Sequence, residues 1–228
     1  MRVPICLLFL IAPFAVHADW PDWRGPDEQG QAASDKLPLR WSETENVVWK
    51  TAIHDLGHST PVVLGNQIWL TTAKQDGTEL YAVAIDVQSG EIKHDIPVFH
   101  VENPQKKNPS NSYATPSPAI ESGRVYVHYG SDGTACIDTK SGEILWKRTD
   151  LNCDHMQGAA SSPVIYEDLL ILTLEGTDKY FTVALSKKTG DTVWIYKRPA
   201  DLYVDSIEGV YKKSYQTPVF ITVDGKTQ

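Results

Sequence analysis

The sequence predicts an all-β protein, a β-propeller of four-stranded blades with about four blades in view. Three observations carry this. An apolar strand introduced by Ser/Thr-Pro recurs at Pro61, Pro118, Pro163 and Pro218, at spacings of 57, 45 and 55. A Ser/Thr-Gly turn recurs at Gly90, Gly142 and Gly190, at spacings of 52 and 48. No stretch after residue 18 shows the 3.6-residue apolar period of a helix. Units of this length with four strand signals are the signature of a propeller, whose sheets bury both faces only by stacking on their neighbours.

Residues 1–18, "MRVPICLLFLIAPFAVHA", combine one positive charge, an apolar run and small residues near Ala18. They read as a signal peptide, with no transmembrane span after cleavage. The expected destination is the periplasm, the outer membrane or the exterior. Residues 19–45 read as an extended N-terminal segment. Residues 46–53, "NVVWKTAI", precede the first Ser/Thr-Pro strand and read as a closing strand, the outer strand of a final blade. Units then begin near residues 59, 115, 161 and 216.

The second unit shows how a blade is written. "PSPAI" opens on proline, which a strand tolerates at its first residue. "RVYVHYG" alternates, "GTACID" follows the turn "SDG", and "EILWK" follows "TKSG". Asp86 and Asp138 are expected to accept hydrogen bonds from their turns. Trp49, Trp146 and Trp194 stand on outer strands and are expected to pack across to the next blade. His94 takes that place in one blade, so its contact is expected to be weaker or rearranged.

The pattern Ala-x-Asp-x-x-(Ser/Thr)-Gly-x-x-x-Trp resembles the tryptophan-docking repeat of pyrroloquinoline-quinone-type β-propellers. It is carried by Ala84, Asp86, Ser89 and Gly90, by Asp138, Ser141, Gly142 and Trp146, and by Ala184, Thr189, Gly190 and Trp194. Cys136, Ser186 and His94 depart from it. The opening "DWPDWRGPDEQG" looks like the start of secreted proteins of this family. The resemblance implies one of two functions. Quinoprotein alcohol or sugar dehydrogenases hold the quinone and calcium on the propeller axis. Scaffolds, such as the outer-membrane barrel-assembly propeller lipoprotein, bind no cofactor. The dehydrogenases carry a vicinal Cys-Cys and acidic calcium ligands. This sequence has no Cys-Cys, and "STPVV", "PSPAI", "SSPVI" and "QTPVF" hold no acid. The expectation is a binding or scaffold protein without cofactor, metal or catalytic residues; the alternative is a dehydrogenase using pyrroloquinoline quinone and calcium. Family propellers close with seven or eight blades, so these residues read as a fragment of a protein of about 400 residues.

With this strand order the long loops share one face: "HDLGHS", "IPVFHVENPQKKNPSNSYAT", "RTDLNCDHMQGAAS" and "KRPADLYVDSIEGVYKKSYQ". Long loops on a rigid scaffold carry function. The candidate binding residues are His58, Tyr113, His155, Gln157 and Tyr215, and the expected partner is a protein or a glycan. His54, His58 and His155 match no zinc spacing, and Asp150, Asp154 and His155 are drawn only weakly as an acid–base cluster. "NPQKKNPSN" and "YKKSY" are small basic spots in a chain of net charge −8, which excludes nucleic acid. Cys136 and Cys153 are expected as free thiols rather than a disulfide.

Overall fold

The computed structural model describes residues 19–32, 37–199 and 207–227. The signal-peptide reading of residues 1–18 lies outside them. Twelve strands form three antiparallel sheets, each ordered from the axis outward. The first blade is β1 (Val62–Leu64), β2 (Gln67–Ala73), β3 (Glu79–Asp86) and β4 (Ile92–His100). The second is β5 (Ala119–Glu121), β6 (Arg124–His128), β7 (Thr134–Asp138) and β8 (Ile144–Arg148). The third is β9 (Val164–Tyr166), β10 (Leu169–Glu175), β11 (Tyr180–Ser186) and β12 (Thr192–Lys197). A hairpin, β13 (Thr222–Val223) and β14 (Lys226–Thr227), follows. The described blades are therefore three, with a two-stranded start in place of a complete fourth.

Strand alternation places the core between blades. From β6 and β7, Val125, Val127, Ala135 and Ile137 join Val62, Trp69, Leu80 and Ala84 of the first blade. Tyr126 and Cys136, one step out of phase, join Leu170, Leu172, Val183 and Leu185 of the third. The second blade is thus apolar on both faces, which only a stacked sheet requires.

The repeated turn explains itself in the outer hairpins. Asp138 Oδ1 accepts the backbone N–H of Ser141 at 2.7 Å and of Lys140 at 3.0 Å. Asp86 does the same for Ser89 and Gln88 at 2.8 and 3.0 Å. These N–H donors hold both carboxyls below their usual range. A bulge follows in every blade, where the register shifts at Ala84/Ile85, Cys136/Ile137 and Ala184/Leu185. It leaves His94, Trp146 and Trp194 opposite Ala84, Cys136 and Ala184, small residues that leave room for a ring.

Trp49, His94 and Trp146 each seat on a turn glycine of the next blade. A Cβ on Gly90 would meet Trp49 at 2.6 Å, one on Gly142 His94 at 2.7 Å, and one on Gly190 Trp146 at 2.7 Å. Trp49 and Trp146 also donate Nε1–H to Val87 O (2.8 Å) and Lys187 O (3.0 Å), three residues before the glycine. Trp194 has no such seat among the described residues and stays 41% exposed.

The His94 contact is rearranged. His94 cannot reach the carbonyl that an indole would, and Gln67 Nε2 donates to Thr139 O instead, at 3.1 Å. Trp69 holds that amide through Nε1–H to Gln67 Oε1 (3.1 Å) and stacks on His94, with centroids 5.8 Å apart. A groove of about 400 Å³ remains beside His94, Thr139 and Lys140.

Two devices tie the blades near the axis. From the second unit on, the hydroxyl before the strand-opening proline accepts the N–H of its counterpart one blade earlier. Thr60 N–H donates to Ser117 Oγ (2.8 Å), Ser117 N–H to Ser162 Oγ (3.0 Å) and Ser162 N–H to Thr217 Oγ1 (3.0 Å). The N-terminal segment then crosses the inner edges. Trp20 pairs with Val63 of β1, Pro21 O accepts Ile120 N–H of β5 at 2.8 Å, and Glu28 Oε2 accepts Phe220 N–H at 3.2 Å. Val63, Ile120 and Phe220 each stand two residues after a strand-opening proline, so the segment satisfies equivalent edge donors in three units. Residues 46–53 form no strand pair among the described residues, although Trp49 docks like any outer-strand Trp.

Candidate functional site

The long-loop face is built by three inter-blade segments: residues 101–118, 149–163 and the described parts of 198–221. Its second loop starts later than expected, because Ile96–His100 belong to β4.

Gln105 joins the first two segments. Its Nε2 donates to Cys153 O (3.0 Å), its Oε1 accepts His155 N–H (3.3 Å), and its own carbonyl accepts Tyr113 O–H (2.7 Å). Tyr113 lies over Gly77, where a Cβ would meet its ring at 2.6 Å. Ser131, from the β6–β7 connection, closes on the same strand of loop. It accepts Cys153 N–H at 2.9 Å and donates to Cys153 O at 2.7 Å. Tyr215 O–H reaches His155 O at 2.9 Å, drawing in the third segment. Asn111 Nδ2 donates to Gln157 O at 2.7 Å.

The structure thus brings together Tyr113, His155, Gln157 and Tyr215, but not His58. His58 joins only through its backbone N–H to Ala114 O (2.9 Å), with its side chain exposed. Both basic spots are anchored on these tyrosines. Lys107 Nζ lies 5.3 Å from the Tyr113 ring centroid and Lys213 Nζ 5.8 Å from that of Tyr215.

The groups here are largely buried or engaged within the loops. His155 is buried, beneath Gly130 and beside Cys153 Sγ at 3.6–3.7 Å. Burial excludes water from the imidazole and lowers its pKa. His128, buried and 2.8 Å from Thr134 Oγ1, is pushed down to about 3 by burial and then by His155. Burial pushes the Cys153 thiol up to about 12. A buried thiol beside a neutral imidazole is a poor nucleophile, because no imidazolium stabilises the thiolate. Both Cys136 and Cys153 are free and buried.

The acid–base cluster dissolves on inspection of its partners. Asp150 is paired with Arg148 at 2.6 Å, and Asp154 accepts Met156 N–H (2.9 Å) and Thr177 O–H (2.8 Å). The three histidines also separate, since His54 is held between Asp55 (2.6 Å) and Asp95 (2.9 Å). Among the described residues no group of three or more His, Cys, Asp or Glu is placed to hold a metal ion.

Pyrroloquinoline quinone with calcium would need oxygen ligands, carboxylates among them, at the axis. β5 extends one residue beyond its apolar start and ends on Glu121, the only acid in β1, β5 and β9. Its carboxylate is committed to Tyr126 O–H and Lys187 Nζ, each at 2.6 Å. Ser117 and Ser162 are committed to the blade ladder. The described residues do not fit that pair.

Sequence reasoning missed Gln105, Asn111 and Ser131, which hold the loops together. Nothing in the spacing of loop residues marks them. It also passed over the Ser/Thr hydroxyls before the prolines, although their recurrence was the available signal.

Among curated proteins none matches the chain. Many solved structures are similar, three of them as follows. The "Europium-containing methanol dehydrogenase" gives a TM-score of 0.47 at 18% identity, over 66% of this chain and 27% of that one. Quinohemoprotein alcohol dehydrogenase from Comamonas testosteroni gives 0.46 at 15%, over 63% and 21%. BamB from Moraxella catarrhalis gives 0.44 at 16%, over 67% and 43%. The chain therefore spans less than half the length of these proteins. The family described as outer membrane protein assembly factor BamB matches over residues 39–149 and 100–212. Those matches take in all three complete blades, and the chain belongs to that family.

Proposed function

We propose that the chain is a binding scaffold without a catalytic site, exported to the periplasm or beyond, whose long-loop face receives the partner. One observation carries this reading. Polar side chains at the centre of that face fix loop backbone or are buried. Asp154 caps two loops, His155 is buried, and Gln105 and Ser131 clamp Cys153. What remains is a rigid surface without a reactive pair, suited to recognition rather than bond making. Both partner classes expected from the sequence, a protein and a glycan, would meet this face. Export rests on the sequence of residues 1–18; among the described residues no helix is long and apolar enough to cross a membrane.

The test is a titration of the purified protein with pyrroloquinoline quinone and calcium. Quinone absorbance is followed, with alcohols and glucose as substrates and a dye as electron acceptor. The scaffold reading expects neither a saturable spectral change nor dye reduction. Saturable binding with turnover would replace it by the dehydrogenase alternative.

A further inference from the structure

Three consecutive inter-blade loops border an open groove of about 330 Å³, lined by Asn108, Ser110, Asn111, Gln157, Ala160 and Tyr215. That volume lies at the lower end of small-molecule sites, which run from roughly 300 to 1,000 Å³. Its lining carries no charged side chain, in a chain of net charge −8. We infer that this groove is a subsite for a neutral saccharide, an assignment that rests on the binding reading above.

The chemistry of the lining selects the ligand. A sugar hydroxyl both donates and accepts, so it is matched by carboxamides and hydroxyls, which offer both roles on one side chain. The groove supplies them with orientation already fixed. Asn108 Oδ1 accepts Ser110 N–H (3.0 Å) and Ser110 O–H (2.7 Å), which leaves Nδ2 as a free donor. Asn111 Oδ1 accepts Ser112 N–H (2.8 Å) and Thr115 O–H (2.6 Å), while its Nδ2 holds Gln157 O. The exposed Gln157 carboxamide has no protein partner and offers two donors and an acceptor at the rim. Tyr215 adds an aromatic face for the apolar C–H side of a pyranose, and its hydroxyl is fixed on His155 O.

The floor is kept open by backbone. Gly158 has φ +90°, and a Cβ there would meet Asn111 Nδ2 at 2.7 Å, displacing the amide that ties the first loop to the second. The cations beside the groove, Lys107 and Lys213, lie over the Tyr113 and Tyr215 rings and are not part of its lining. The neighbouring groove of about 610 Å³ is different in kind: Asp150, Asp178, Lys179, Lys197 and Arg198 line it, and most of these are already paired within the chain.

The probes are neutral oligosaccharides of glucose, mannose, xylose and N-acetylglucosamine, titrated at millimolar concentration into the intact protein. Binding is read by saturation-transfer NMR and calorimetry. At least one set should saturate. Gln157→Ala removes an exposed side chain without a protein partner, so the fold is kept and affinity falls about tenfold. Ser110→Trp fills the groove from an exposed position and abolishes binding. The inference is overturned if none of the four sets saturates, or if both variants bind as the parent does. It is also overturned if an uncharged capped Gly-Ser-Asn peptide binds the groove and no saccharide does. These outcomes are independent of the quinone titration. Turnover with quinone would sink the scaffold reading whatever the sugars do, and failure with sugars leaves the scaffold without this ligand.

Discussion

Ser161 and Ser162 are adjacent, both buried, and opposite in consequence. Ser162 Oγ accepts Ser117 N–H at 3.0 Å, and Ser117 is itself 2% exposed. Ser162→Ala deletes that acceptor and strands a buried backbone donor in the joint between the second and third blades. The cost of such an orphan is about 1–3 kcal/mol. In a chain of this size about 1 kcal/mol moves Tm by about 2–4 °C, so a central value of about 2 kcal/mol lowers it by about 4–8 °C. Ser161 Oγ is equally buried and has no hydrogen-bond partner. Ser161→Ala removes an unsatisfied hydroxyl, and the result is neutrality or a gain of up to about 1 kcal/mol. Urea and thermal unfolding, followed by circular dichroism on both variants, decide the matter. Equal losses in the two variants, or no loss for Ser162→Ala, would refute the blade-to-blade ladder as a stabilising device.

The docking seat gives a second contrast. Gly190→Ala places a Cβ 2.7 Å from Trp146 at φ +76°, while Gly123→Ala at φ +81° meets nothing within 4 Å. The second loses about 1–2 kcal/mol for the left-handed backbone alone, and the first at least about 1 kcal/mol more as the indole is unseated; denaturant midpoints separate them. Acid unfolding tests the buried imidazoles. The folded chain keeps His128 neutral down to about pH 3, whereas the unfolded chain protonates it near 6.5, so the unfolded state holds the extra proton in between. Stability should be full above pH 6.5 and fall by about 1.4 kcal/mol per pH unit below it, and His128→Gln should flatten that slope in pH-dependent urea midpoints. Burial pushes Cys136 and Cys153 up to about 12, so peptide mapping after thiol labelling should find both unmodified in the native protein and both modified in denaturant.

The His94 blade shows where sequence stops being readable. The turn and its glycine were legible because each obeys a local rule: Asp86 and Asp138 close their turns through neighbours two and three residues away. The same locality made the outer-strand Trp positions legible, since the bulge that aims them is written in the hairpin itself. The compensation for His94 is not local. It draws on Gln67 and Trp69 of β2, more than twenty residues earlier, and on Thr139 O of the next blade. Three partners from two sheets acquire meaning only once the sheets are stacked. The candidate site divides along the same line. Tyr113, Gln157 and Tyr215 could be named as candidates because each stands just before an inner strand, a position fixed by the repeat. Gln105 and Ser131 lie at no repeated position, and their function is to hold Cys153 and His155 from across the chain. The axial hydroxyls were present in the repeat and still missed, because a Ser or Thr before proline has a sufficient local explanation as strand punctuation. In a stacked-blade fold a repeated polar residue beside the axis faces its own copy in the next unit, so its recurrence is itself evidence of a hydrogen bond between copies. On that reasoning Thr60, Ser117, Ser162 and Thr217 act as one ladder.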